Sequence, residues 1–381
     1  MSLSGLELSR KIQSMPDTSS LYDMPSFKTF AGTKAGRREL QTALDQMFRS
    51  TRVTNPSAPR EIRLNPITRK TQDGFRYISS ALFRVCRALA PGLSNVVSNL
   101  MGPTRQDTGQ REVYSTPAAC AIFNQLVDLR FQSVLTKAQI ILDEERKVIE
   151  GFLGPQTHFL ENATFLELVE GTLADSCGAE FAGASLAGRR LFARYLHPET
   201  IDTPWGDYQR GYAVCASESG DDSIRAYLMY QHVETGCCCL EVPTGGVYRQ
   251  RRTGSRFMEQ IKRLLVKLAT AKPRDLEGDL SELSERKLFH KLDDRNIHLV
   301  LARWRRSLKL AGMPADIATS VTGTLVRLSD DGSLPSLSKL EDLTEYDLFM
   351  ASMGLCHNKG QRIREISERA AFTVFLGDAD E

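Results

Sequence analysis

No run of about 18 apolar residues, the minimum for a membrane-crossing helix, occurs in this chain of 381 residues. Nor does one sign of charge dominate: 49 Lys and Arg stand against 47 Asp and Glu, a net charge of +2. That balance excludes a uniformly basic coat for DNA, so any contact with a polyanion has to come from local clusters. The eight cysteines include no Cys-x-x-Cys pair, and Met1 to Met15 alternate polar and apolar residues without the apolar core of a secretory leader. The expectation is a cytoplasmic, reducing setting with free thiols and no membrane partner. No internal repeat is evident.

Catalytic signatures are equally scarce. Neither Gly-x-Ser-x-Gly nor His-Glu-x-x-His occurs. Gly183-Ala-Ser-Leu-Ala-Gly188 approaches a phosphate loop, but Arg189 and Arg190 occupy the positions where Lys and a magnesium-binding hydroxyl are needed. Cys237, Cys238 and Cys239 are consecutive, and consecutive strand residues point to opposite faces, so three such thiols do not share one ion. Glu218, Asp221 and Asp222 read as solvated turn carboxylates. No cofactor, metal or catalytic residue is expected, and an enzyme is the least favoured class.

What is present is an α+β pattern. Residues 1–75, interrupted by Pro16, Pro25, Pro56, Pro59 and Pro66, read as a loosely ordered basic arm with one helix, Arg37 to Phe48. Residues 76–250 read as the core domain. It contains a helix from Tyr77 to Leu89, a short helix from Leu93 to Leu100, and a helix opened by Pro117. A hairpin follows, Ala138 to Leu142 and Lys147 to Leu153, then a helix N-capped by Asn162. Cys177 to Ala187 reads as a turn region leading into strands at Arg189 to Leu196, Gly211 to Ser217 and Ser223 to Val233. Residues 251–381 read as a helical region. The expected fold is therefore a mostly antiparallel sheet with a packed helix, flanked by an N-terminal helical arm and a C-terminal helical region.

Two features carry a binding hypothesis. Arg190, Phe192 and Arg194 alternate along one strand, and Arg225 and Tyr227 along another, so each set shares a face. Cations beside flat rings suit single-stranded nucleic acid, whose phosphates pair with guanidinium and whose bases stack. Leu191, Ala193, Tyr195, Ile224, Ala226 and Leu228 occupy the opposite, core-bound faces. The second feature is the basic segment that includes Arg252, Arg256, Arg263 and Lys267, which offers phosphate contacts. Solvation of both features is the bland alternative.

The ordered set of the hairpin, Gly154-Pro-Gln-Thr-His-Phe-Leu-Glu-Asn162, Gly188-Arg-Arg, Tyr212-Ala-Val-Cys-Ala-Ser-Glu-Ser-Gly-Asp and Ser223-Ile-Arg-Ala-Tyr-Leu resembles the phage/plasmid-like proteins of the domain-of-unknown-function 932 family. The match spans roughly residues 110–270. This chain has Ala216-Ser217-Glu218 where the family has Asn-Ser, and Glu234-Thr-Gly-Cys where the family has Val-Cys-x-Asn. The resemblance implies a phage or mobile-element setting and supplies no activity. Its element order is also similar to that of single-strand annealing proteins, which assemble as rings or filaments. The reading is an oligomeric nucleic-acid-binding protein for single-stranded DNA, serving annealing or recombination. The alternative is a self-assembling structural or interaction protein without catalytic activity.

Overall fold

A computed structural model describes residues 28–92, 104–105, 112–113, 116–219, 223–241, 248–250, 253–254, 256–272, 274–288, 294–328, 343–357 and 361–377. The strands are β1 (Lys28–Ala31), β2 (Thr51–Thr54), β3 (Arg76–Tyr77), β4 (Thr104–Arg105), β5 (Glu112–Val113), β6 (Gln139–Asp143) and β7 (Val148–Leu153), then β8 (Glu180–Ala187), β9 (Arg190–Ile201), β10 (Tyr208–Ser217), β11 (Ile224–His232), β12 (Cys238–Glu241) and β13 (Tyr248–Gln250). The helices are α1 (Lys34–Arg49), α2 (Ser79–Leu89), α3 (Pro117–Arg130), α4 (Asn162–Cys177) and α5 (Phe257–Ala269), then α6 (Leu276–Glu285), α7 (Asp294–Leu310), α8 (Ala315–Leu328), α9 (Glu345–His357) and α10 (Gln361–Phe375). The fold is α+β.

Among the described residues the larger sheet has seven strands, in the order β1-β8-β9-β10-β11-β12, with β13 also pairing β11. All of these pairs are antiparallel. A second sheet runs β2-β6-β7-β3, with β3 parallel to β7, and β4 pairs with β5. Alternation of side chains along each strand gives the large sheet two apolar faces. Leu191, Ala193 and Tyr195 of β9, with Val214 and Ala226, pack on Leu40 of α1, Phe165 and Val169 of α4, and Ile261 and Leu265 of α5. Phe192, Cys215, Tyr227 and Met229 face the other way. There α10 packs on β12, beside a bundle core of α6 to α10 that includes Phe349, Phe372 and Phe375. The smaller sheet carries α2 and α3 over Tyr77, Leu82, Phe123 and Phe152.

Several expectations change. The chain from Lys28 to Phe75 is no loose arm, because β1 joins the large sheet, β2 joins the small one, and Leu40, Leu44, Ile62, Leu64 and Phe75 are buried. Residues 1–27, and the short helix expected at 93–100, lie outside the described residues. The Gly- and Ala-rich stretch expected to turn is largely strand β8. Small residues on both sides let β1 approach closely: a Cβ on Gly183 would lie 3.1 Å from the Phe30 carbonyl oxygen, and one on Gly32 2.6 Å from the Ala182 carbonyl oxygen. The stretch resembling a phosphate loop is the β8–β9 hairpin, with Gly188 at φ +57. Asn162 is the first helical residue and Glu161 the cap position.

Candidate functional site

The short motifs of the sequence meet at one buried cluster. The β8–β9 turn sends Arg189 inward, where its side chain is only 2% exposed. Arg189 donates to Glu150 of β7, to Glu218 at the end of β10 (2.9 Å) and to the Thr51 hydroxyl (2.7 Å). The Asn162 backbone N–H donates to Glu218 (2.8 Å), so that carboxylate caps α4 from another element, and Asn162 Nδ2 donates to the Arg189 carbonyl (3.1 Å). Arg146 supplies a second cation to Glu150 at 3.0 Å. Burial raises the Glu218 carboxyl above its ordinary range, opposed by the Arg189 guanidinium. Thr51, Glu150, Asn162, Arg189 and Glu218 thus join both sheets and the α4 terminus. The arrangement locks elements together and offers a substrate no open face.

The cationic wall read from the sequence exists as a wall. Register places Arg194, Ala213 and Tyr227 in one row across β9, β10 and β11, and Phe192, Cys215 and Arg225 in the next. It is not accessible. Phe192, Arg194 and Tyr227 are 4%, 8% and 0% exposed, and Arg190 and Arg225 are half-buried. Arg194 Nη2 donates to both oxygens of Glu368 on α10, at 2.8 and 2.9 Å. Arg225 pairs with Glu365 at 2.8 Å, and the Tyr227 hydroxyl donates to Glu365 at 2.8 Å. Arg194 Nη1 also donates to Cys238 Sγ at 2.9 Å, and burial pushes that thiol up to about 11. The accessible-platform assignment of Arg190, Phe192, Arg194, Arg225 and Tyr227 is therefore corrected. Two carboxylates one helical turn apart neutralise Arg194 and Arg225, and the same helix holds the Tyr227 hydroxyl.

The basic helix is different. Arg256, Lys262, Arg263 and Lys267 are exposed on or beside α5, while Ile261, Leu265 and Leu268 anchor its other side. At 3.6 residues per turn, positions 256, 263 and 267 fall on nearly one line. Arg263 is 79% exposed, and its ion pair with Glu259 is long, at 3.9 Å. The isolated bridge Thr157↔Thr253 holds the loop after β7 beside the start of α5. In that loop the exposed His158 ring stacks on Phe257, with centroids 4.9 Å apart and planes 2° apart. Arg252 lies outside the described residues.

The sequence reading missed His158, Glu150, Glu365 and Glu368. Glu150 had a signal, because it is an acid within the apolar strand Val148–Leu153. Glu365 and Glu368 had another, a spacing of three that puts both on one helix face. Nothing local joined His158 to Phe257. Among the described residues, no group of three His, Cys, Asp or Glu side chains could hold a metal ion. Among the same residues, no helix is long and apolar enough to cross a membrane. No family model matches the chain, no curated protein matches it, and no solved structure matches it.

Proposed function

We propose that the protein binds single-stranded nucleic acid without sequence preference, through the exposed side of α5 and the adjoining ring pair. The observation that carries this reading is the alignment of Arg256, Arg263 and Lys267 along about 16 Å of helix, next to the stacked His158 and Phe257. Cations along a line follow a phosphate backbone, and the outer face of an exposed ring accepts a base, worth about 1–3 kcal/mol per base. The resemblance to the domain-of-unknown-function 932 family supports a phage or mobile-element setting, with annealing or recombination in the cytoplasm as the step served.

Fluorescence anisotropy of a labelled single-stranded oligonucleotide tests it. Binding at low salt weakens as salt rises, with a log–log slope of about −0.7 per phosphate contact. Replacing Arg256, Arg263 and Lys267 together by Ala flattens that slope by about 2 units. Absence of binding at low salt overturns the proposal.

One observation favours the second reading, a self-assembling interaction protein. Leu299 and Leu310 on α7 are 67% and 78% exposed. They fall on one side of the helix with the exposed Arg303 and Arg306. Under that reading, light scattering without DNA reports large particles that Leu299→Glu and Leu310→Glu disperse.

A further inference from the structure

The small sheet ends on one side in a short strand. That strand is β2, and Arg52 and Thr54 pair with Leu142 and Ile140 of β6. Helix α2 packs further in, on β7. Residues after β2, among them Asn55, Ser57 and Glu61, and Asp73 and Phe75 before β3 line an open cavity of about 230 Å³. Its apolar lining is Phe75, Ile140 and Leu142, which belong to the apolar core of this sheet. Its charged lining is Arg52, Glu61 and Asp73.

The charges on that lining are not balanced within the cavity. Arg52 is drawn to Glu144 at 2.8 Å, and Glu144 does not line the cavity. The Glu61 carboxylate is held in place by Ser57, whose backbone N–H donates at 3.1 Å and whose hydroxyl donates to the other oxygen. These contacts orient Glu61 without neutralising it. Asp73 has no ion pair or hydrogen bond among the described residues. Two carboxylates and the edges of three core residues, one of them an aromatic ring, thus line one cavity. That combination selects a cation with an apolar body: the charge meets carboxylates and a ring, while the body removes apolar surface from water.

We propose that this cavity is a binding site for a small organic cation, a primary ammonium group on a short apolar body. The ammonium group sits between Glu61 and Asp73, and the body rests on Phe75, Ile140 and Leu142. This site is independent of the nucleic-acid reading, since it uses none of the α5 residues.

The test uses the full chain and three probes of one shape and different charge: 2-phenylethylamine, 2-phenylethanol and phenylacetate, each titrated by calorimetry and by ligand-observed NMR. The amine binds saturably, the alcohol binds about tenfold or more weaker, as expected when about 1.4 kcal/mol of charge recognition is lost, and the carboxylate does not bind. Asp73→Asn and Glu61→Gln each weaken the amine several-fold and leave the alcohol unchanged. Asp73 is exposed, so an unchanged melting temperature certifies that its variant is folded. Equal binding of amine and alcohol overturns the proposal. So does failure of the amine to saturate, or indifference of the amine to both substitutions. Oligonucleotide binding by Asp73→Asn stays at the wild-type level in every case, which separates failure here from failure of the α5 reading.

Discussion

Arg189 shows how one side chain can hold several elements at once. It is buried between Glu150 and Glu218 with Thr51 as a third acceptor. Removing one partner of a buried ion cluster leaves the others charged and uncompensated, at a cost of about 3–5 kcal/mol. Arg189→Met is expected to lower the unfolding free energy by that amount in chemical denaturation. A loss below about 0.5 kcal/mol, the range of an ordinary surface substitution, would contradict the clustering. His197 gives a pH signature. Its Nε2 lies 2.8 Å from the Tyr212 hydroxyl, and burial, then the nearby Arg210 charge, lower its pKa from 6.5. Below that value the unfolded chain takes up a proton that the folded ring resists. The stability contribution is therefore complete above about pH 6.5 and is lost as pH falls toward the folded value. In His197→Gln the melting temperature falls less between about pH 7.5 and about pH 5.5 than in the wild type. An equal fall in both proteins refutes the assignment.

At the scale of elements, α10 and α5 carry charge to opposite ends. The carboxylates of α10 are buried against the sheet, and Glu368 also accepts from Arg364 at 2.7 Å. The cations of α5 are in solvent. Glu368→Gln strips charge compensation from Arg194 and costs about 3–5 kcal/mol, whereas Arg263→Glu changes stability by no more than about 0.5 kcal/mol. Thermal melting of the pair reads that contrast. The β9–β10 ladder holds a second constraint. Its register shifts between Gln209 and Gly211, and a Cβ on Gly211 would lie 2.2 Å from the Tyr195 carbonyl oxygen. Gly211→Ala therefore pushes the two strands apart, with an expected loss of about 1–3 kcal/mol. Period-two alternation made the face of Arg190, Phe192 and Arg194 legible, because it is a local property of any strand. Asn162 was misplaced by one position, because the carboxylate that caps α4 comes from Glu218, 56 residues away.

For the whole molecule, helices pack on both faces of the large sheet. Ending the chain before α10 removes Glu365 and Glu368, and it also removes Phe372 and Phe375 from the bundle core. That truncation is expected to aggregate and to lose cooperative melting, seen by gel filtration and calorimetry. A folded truncated protein with raised oligonucleotide affinity would instead restore the sheet face as the binding surface. The α+β class, the hairpin, most helices and the shared faces of the strands follow from the sequence by itself, because each depends on residues within a few positions of one another. The fate of the cationic wall was decided by tertiary structure alone. Arg194 and Glu368 are 174 positions apart, and Arg225 and Glu365 are 140 apart. No periodicity spans such distances, so only the packed chain determines whether a guanidinium group meets solvent or a carboxylate of its own molecule.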